Sequence, residues 1–209
     1  RDGLVTGVQT CALPISSLLY HSPMNTNLEI EYKTLLTKDQ FKQLSLDYDK
    51  IPIIKQVNHY YQYNDPSKSL VARIREIDQA FALTFKIKQI KGRLEINFKV
   101  SSNDPNVFAR EDVQSFLLEN DFTQSFTYLG ELTTYRRLIK EVDGELCIDE
   151  NHYLGEVDYE LEYEVSRDEG QAYSRFQELV EKYNLSNEKA KTKYHRFLLC
   201  LNPFGVDER

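Results

Sequence analysis

Along NLEIEYK, residues 27–33, Leu28, Ile30 and Tyr32 alternate with Glu29, Glu31 and Lys33. A period of two places successive side chains on opposite faces of an extended strand. The same period returns in LVARIREI (70–77), FALTFKIKQ (81–89), RLEINFKV (93–100) and EVDYELEYEV (156–165). IPIIKQVNHYYQYN (51–64) and FTYLGELTTYRRLIKEV (126–142) are rich in β-branched and aromatic residues, which favour strands. Turn residues punctuate them: NDPS after 63, Lys91–Gly92, and Asp143–Gly144, a hairpin signal that leads into ELCID. Helical spacing predicts a helix opened by Thr37 as N-cap, with Phe41 and Leu44 on one side. NDPNVFAREDVQSFLLEN predicts another, with Phe108, Val113, Phe116 and Leu117 aligned, and two more are expected near 168–183 and 187–200.

Strands with hairpin connections, then helices, predict an α+β fold with an antiparallel sheet. About eight strands of this length close into a barrel. The polar faces then carry the information. Arg73 and Arg75 lie opposite Leu70, Ala72 and Ile74; Lys86 and Lys88 lie opposite Phe85 and Ile87; Glu95, Asn97 and Lys99 share a face. Arg136 falls on one face of its strand and Arg137 on the other, while Asp158, Glu160, Glu162 and Glu164 form an acidic row. Taken singly, each row reads as a solvated outer face. Taken together, the apolar faces match the apolar stripes of the helices, which puts the charged faces inside. An unpaired buried charge costs several kcal/mol, against a total stability of about 5–15 kcal/mol for a domain. Such an interior is a wet tunnel, suited to an anion and a metal.

Composition narrows the rest. A net charge of −7 argues against a nucleic-acid partner. No apolar run approaches the roughly 20 residues of a membrane span. Cys147 and Cys200 are far apart and in no ligand pattern, which points to a reducing compartment and to neither a disulfide frame nor a zinc site. A soluble, cytoplasmic protein is expected. Val5–Ile15, VTGVQTCALPI, matches the translation of a common sequencing-adapter DNA, and Met24 is the chain's one methionine. Residues 1–23 are therefore expected to be a non-native leader, with residues 24–209 forming a single domain that ends in helices.

ExExK at 29–33, followed in order by RIR at 73–75, KIK at 86–88, Arg136 and ExExE at 160–164, resembles the CYTH superfamily, also called triphosphate tunnel metalloenzymes. The likeness runs from NLEIEYK through NHYYQYND, LGELTTYR and DYELEYEV to TKYHRF, and is greatest to the bacterial stand-alone CYTH proteins. It implies an eight-stranded antiparallel tunnel with a charged interior, helices outside and a helical C-terminal region. It also implies metal-dependent hydrolysis of a triphosphate or polyphosphate. Lys33, Arg73, Arg75, Lys86, Lys88, Arg136 and Lys193 would bind the phosphates. Glu29, Glu31, Glu160, Glu162 and Glu164 would hold Mg²⁺ or Mn²⁺, with Glu29, Glu31, Glu160 and Glu162 taking part in catalysis. A class IV-type adenylate cyclase and a non-catalytic polyphosphate or nucleotide sensor are the alternatives. Where the family follows its NHY with Phe-Asp-Thr, this chain has Tyr61, Gln62 and Tyr63, so a carboxylate near the tunnel mouth is missing. His59, His152 and His195 read as structural or surface residues.

Overall fold

The computed structural model describes residues 24–166 and 169–203; the leader expected over 1–23 lies outside them. The first alternating stretch forms two strands, β1 (Met24–Glu29) and β2 (Glu31–Leu36), separated at Ile30. Helix α1 (Lys38–Asp47) follows, then β3 (Ile53–Tyr63), β4 (Leu70–Ile77), β5 (Ala80–Lys88) and β6 (Arg93–Val100). A 3₁₀ turn (Pro105–Ala109) and α2 (Glu111–Glu119) precede β7 (Phe126–Lys140), β8 (Gly144–Tyr153) and β9 (Glu156–Val165). Helices α3 (Glu169–Lys182) and α4 (Lys193–Leu201) complete the described chain. None of these helices is long and apolar enough to cross a membrane.

All nine strands form one antiparallel sheet in the order β1-β6-β5-β4-β3-β7-β8-β9-β2. The two edge strands are thus consecutive in sequence. The break at Ile30 explains the count of nine against the expected eight: β1 pairs with β6 while β2 pairs with β9, so one stretch of chain serves both edges of a curled sheet. Val165 N–H donates to Ile30 O at 2.8 Å, tying the end of β9 to the junction. On the other side Gly92 comes so near that a Cβ there would lie 2.3 Å from Glu29 O, and its φ of +73° is left-handed. Glycine is required at this approach.

The helices lie where the apolar faces demand. Phe85, Phe98, Ile74 and Leu83 pack beneath Val113, Phe116 and Leu117 of α2. Leu146, Ile148, Leu161 and Tyr163 pack beneath Leu44 of α1 and Phe176, Leu179 and Val180 of α3. A capping box starts α1, in which Thr37 and Gln40 satisfy each other's backbone N–H groups. Helix α4 differs, because Phe197 packs on Leu132 and on Tyr60, and Tyr60 faces inward. It starts at Lys193, six residues after the start near 187 expected from the sequence, with Thr192 as its N-cap.

Candidate active site

With the apolar faces covered, the polar rows converge on a cavity of about 80 Å³ inside the curl. Seven basic side chains and four acidic ones line it, in a chain that is acidic as a whole. β2 and β9 supply the first cluster through their register, in which Glu31 lies opposite Glu164 and Lys33 opposite Glu162. Lys33 Nζ stands 2.7 Å from Glu31 Oε1 and 2.9 Å from Glu162 Oε1. Burial alone would weaken the charge on Lys33, but Glu162, Glu31 and Glu160 outweigh it and raise its pKa.

β7 and β8 supply the second cluster. Arg136 donates to Asp149 from Nε at 2.8 Å and from Nη2 at 2.7 Å, to Glu162 at 2.6 Å and to Glu164 at 3.2 Å. Lys193, brought in by α4, meets Asp149 at 2.9 Å, Glu162 at 2.7 Å and Glu160 at 3.4 Å. Burial would push Glu162 up; Lys193, Lys33 and Arg136 together hold it well below the usual carboxylate range. Burial does push Glu160 up, to about 7, against the pull of Lys193. Arg196, one turn beyond Lys193, donates to both Asp158 and Glu160 and so anchors α4 to β9.

The opposite wall is less neutralised. Lys86 Nζ sits 2.8 Å from both Glu29 oxygens and 2.6 Å from Glu95. Arg73 comes no nearer than 3.9 Å to Glu95, and its buried Nε has no hydrogen-bond partner. Arg75 donates to Asn58 Oδ1 at 2.9 Å and makes no ion pair among the described residues. Burial, then repulsion by Arg73 and Arg136, lower its pKa to about 10. A guanidinium kept charged under those conditions, without a carboxylate, is a site prepared for an anion.

Most of the residues singled out in the sequence meet here: Glu29, Glu31, Lys33, Arg73, Arg75, Lys86, Arg136, Glu162, Glu164 and Lys193 all line the cavity. Two stand elsewhere. Glu160 is fully buried behind the wall, holding Lys193 and Arg196. Lys88, the last residue of β5, is exposed and borders a second, outer cavity instead. Arg137 turns away and donates to Ile51 O. Gln62 is exposed, so the position of the absent carboxylate faces solvent.

Three participants were missed. Asp149 was legible from the hairpin, since pairing through Asp143–Gly144 sets it against Arg136. Arg93 shares the face of Glu95 and lines the cavity. Arg196 follows Lys193 by three residues, the spacing that puts both on one side of a helix.

The model of the CYTH domain matches residues 27–198, most of the chain. The chain belongs to the CYTH family. A Bacillus subtilis (strain 168) relative named "Putative triphosphatase YjbK" is 27% identical over 186 residues, covering 83% of this chain and 96% of its own. A Bacillus halodurans protein described as a "putative adenylate cyclase" is 31% identical, with a TM-score of 0.71 over 82% of this chain and 98% of its own. A Hippeastrum protein, HpAC1, described as having a dominant triphosphatase activity, shares the fold at 17% identity and a TM-score of 0.66, over 82% of this chain and 95% of its own. The curled sheet and its helices are thus the CYTH tunnel architecture.

The family generally works with divalent metal ions, and the carboxylates offer only oxygen donors, which suit a hard cation. Among the described residues no three His, Cys, Asp or Glu side chains form a ready ligand cluster. Each carboxylate holds a cationic side chain instead, Glu31 with Lys33 and Glu29 with Lys86. In charge and hardness the donors fit such an ion.

Proposed function

We propose that this CYTH protein is a metal-dependent hydrolase of triphosphates, acting on a triphosphate held in the inner cavity. The observation that carries this reading is the pair Arg73 and Arg75, the one 3.9 Å from its only carboxylate partner among the described residues, Glu95, and the other without an ion pair among them, lining the same cavity as Glu29, Glu31 and Glu164. The cations on this wall have capacity left for phosphate oxygens. A polyanion there also competes with Glu29 for Lys86 and with Glu31 for Lys33, releasing carboxylates as it binds.

Glu29, Glu31, Glu162 and Glu164 would hold Mg²⁺ or Mn²⁺, which supplies charge neutralisation and a bound water of lowered pKa. Arg73, Arg75 and Lys86 bind and orient the phosphates. Arg136 and Lys193 neutralise charge as it develops on the departing diphosphate, a stabilisation greatest in the transition state. A carboxylate freed from its lysine accepts the proton of the attacking water. Glu160 and Asp149, behind the wall, hold Lys193 and Arg136 in place.

The likeness to the Bacillus halodurans protein favours a second reading, nucleotide cyclisation, in which the same cations serve a different cut. One experiment separates the two. The protein is incubated with inorganic triphosphate, ATP and thiamine triphosphate, each with Mg²⁺, Mn²⁺ or EDTA, and products are resolved. Orthophosphate release that EDTA abolishes supports hydrolysis. Pyrophosphate with a cyclic nucleotide supports cyclisation, and no product under any condition refutes both.

A further inference from the structure

The inner cavity, at about 80 Å³, has room for phosphate groups and little else. It shares Glu29, Glu31, Lys33, Arg93 and Thr192 with an outer cavity of about 760 Å³ between the β5–β6 hairpin and α3. That volume is within the range of small-molecule sites, roughly 300–1,000 Å³. An inorganic triphosphate bound inside would leave it empty.

Its walls are not those of a simple basic funnel. Tyr173 of α3 is half exposed, and Tyr32 meets it edge-on at 5.1 Å between ring centres and 60° between planes. Phe176 backs Tyr32 in turn, at 5.9 Å. Tyr32 donates to Glu169, which also pairs with Lys91 of the hairpin, so the ring beneath Tyr173 is held by both walls. Gln89, Gln177 and Asn187 border the same space, and no hydrogen bond engages any of their side-chain amides among the described residues. A fixed aromatic with an open face provides a stacking platform, and carboxamides carry donor and acceptor together, as the edge of a nucleobase requires.

We propose that this outer cavity is the subsite for the base of a nucleoside triphosphate whose phosphates occupy the inner cavity. The base stacks on Tyr173, and Gln89, Gln177 and Asn187 read its edge. The inference rests on the triphosphate reading of the inner cavity and gives it a substrate class.

Binding, measured apart from turnover, tests it. Affinities for ATP, GTP and inorganic triphosphate are measured by calorimetry with Ca²⁺ as the cation, for the full chain and for Tyr173→Ala and Tyr173→Phe. Stacking on an aromatic is worth enough to shift affinity roughly tenfold. Tyr173→Ala is therefore expected to lower the ratio of nucleotide to inorganic triphosphate affinity by about that factor, and Tyr173→Phe to restore it. A ratio unchanged in Tyr173→Ala overturns the subsite, as does inorganic triphosphate binding at least as tightly as both nucleotides to the unaltered chain. Should Tyr173→Ala not fold, Gln177→Ala takes its place, with the same ratio as readout. Phosphate release is assayed in parallel with Mg²⁺ and Mn²⁺. Its absence, with the ratio still dependent on Tyr173, removes the hydrolase reading and leaves the subsite standing.

Discussion

Arg136 and Asp149 face each other across the β7–β8 hairpin and share two hydrogen bonds, at 2.8 and 2.7 Å, with Asp149 wholly buried. Asp149 also holds Lys193 at 2.9 Å. One carboxylate thus fixes a cation from the sheet and another from α4. Removing one partner of a buried ion pair costs about 3–5 kcal/mol, because the remaining charge is left uncompensated. Asp149→Asn is expected to lose stability of that order. Inorganic triphosphate, as a replacement counter-anion, should recover part of the loss through binding to the folded state. Urea denaturation with and without triphosphate checks both, and equal stability of variant and parent would show that Asp149 does not carry this charge balance.

The two arginine faces make a sharper comparison. Arg75 lines the inner cavity without an ion pair, whereas Arg137 points out to Ile51 O. Arg75→Ala should weaken triphosphate binding by roughly 1.5–3 kcal/mol, the worth of a hydrogen bond to a charged group. Its stability should not fall by a comparable amount, because burial and Arg73 already work against its charge. Arg137→Ala should cost about 1 kcal/mol of stability and leave the triphosphate affinity alone. Calorimetric titration of both variants decides the matter. Equal losses of affinity would mean the inner and outer faces of β7 have been exchanged.

Metal dependence is tested at Glu31. Its pairing with Lys33 at 2.7 Å is one of several for that lysine, which keeps Glu162 at 2.9 Å and Glu160 at 3.5 Å. Glu31→Gln should therefore fold normally. Hydrolysis should fall roughly hundredfold or more, as several kcal/mol of charge stabilisation are lost. Phosphate release at saturating Mg²⁺ or Mn²⁺, and again in EDTA, is the measurement. Full turnover in the variant, or in the parent with EDTA, would remove the metal from the reaction.

How far the site could be read from sequence follows from what alternation can encode. The period of two placed Glu29, Glu31, Lys33, Arg73, Arg75 and Lys86 on inward faces, and the structure brings them to one cavity. It could not show that Lys88, two residues beyond Lys86 and the last of β5, is exposed on the outer cavity, because depth along a tunnel is set by where a strand ends and not by parity. Nor could it rank the ExExE row. Glu162 and Glu164 reach the cavity while Glu160 lies behind it, and that difference comes from α4 packing against β9 through Arg196. The bend at Ile30 was equally hidden. It depends on β6 and β9, distant in sequence, competing for the same stretch of chain.

Glu160 offers the last test, because burial sets it apart from its neighbours. Its carboxyl is pushed up to about 7 from an ordinary 4.5, burial outweighing the attraction of Lys193, Lys33 and Arg196. In the unfolded chain it ionises near 4.5, so between there and about 7 the unfolded state gives up the proton first. The stability Glu160 contributes is therefore fully present below the unfolded value and is lost as pH rises through the folded one. Over that window the loss is on the order of 3 kcal/mol. Glu160→Gln has no proton to lose and escapes this penalty. Whatever constant offset it carries from altered contacts with Arg196, its stability relative to the parent should climb between pH 5 and pH 8. Parallel urea denaturations of parent and variant across that range, without triphosphate or metal, measure the slope. A difference that stays flat, or falls as pH rises, would show that Glu160 is held ionised by the three cations around it.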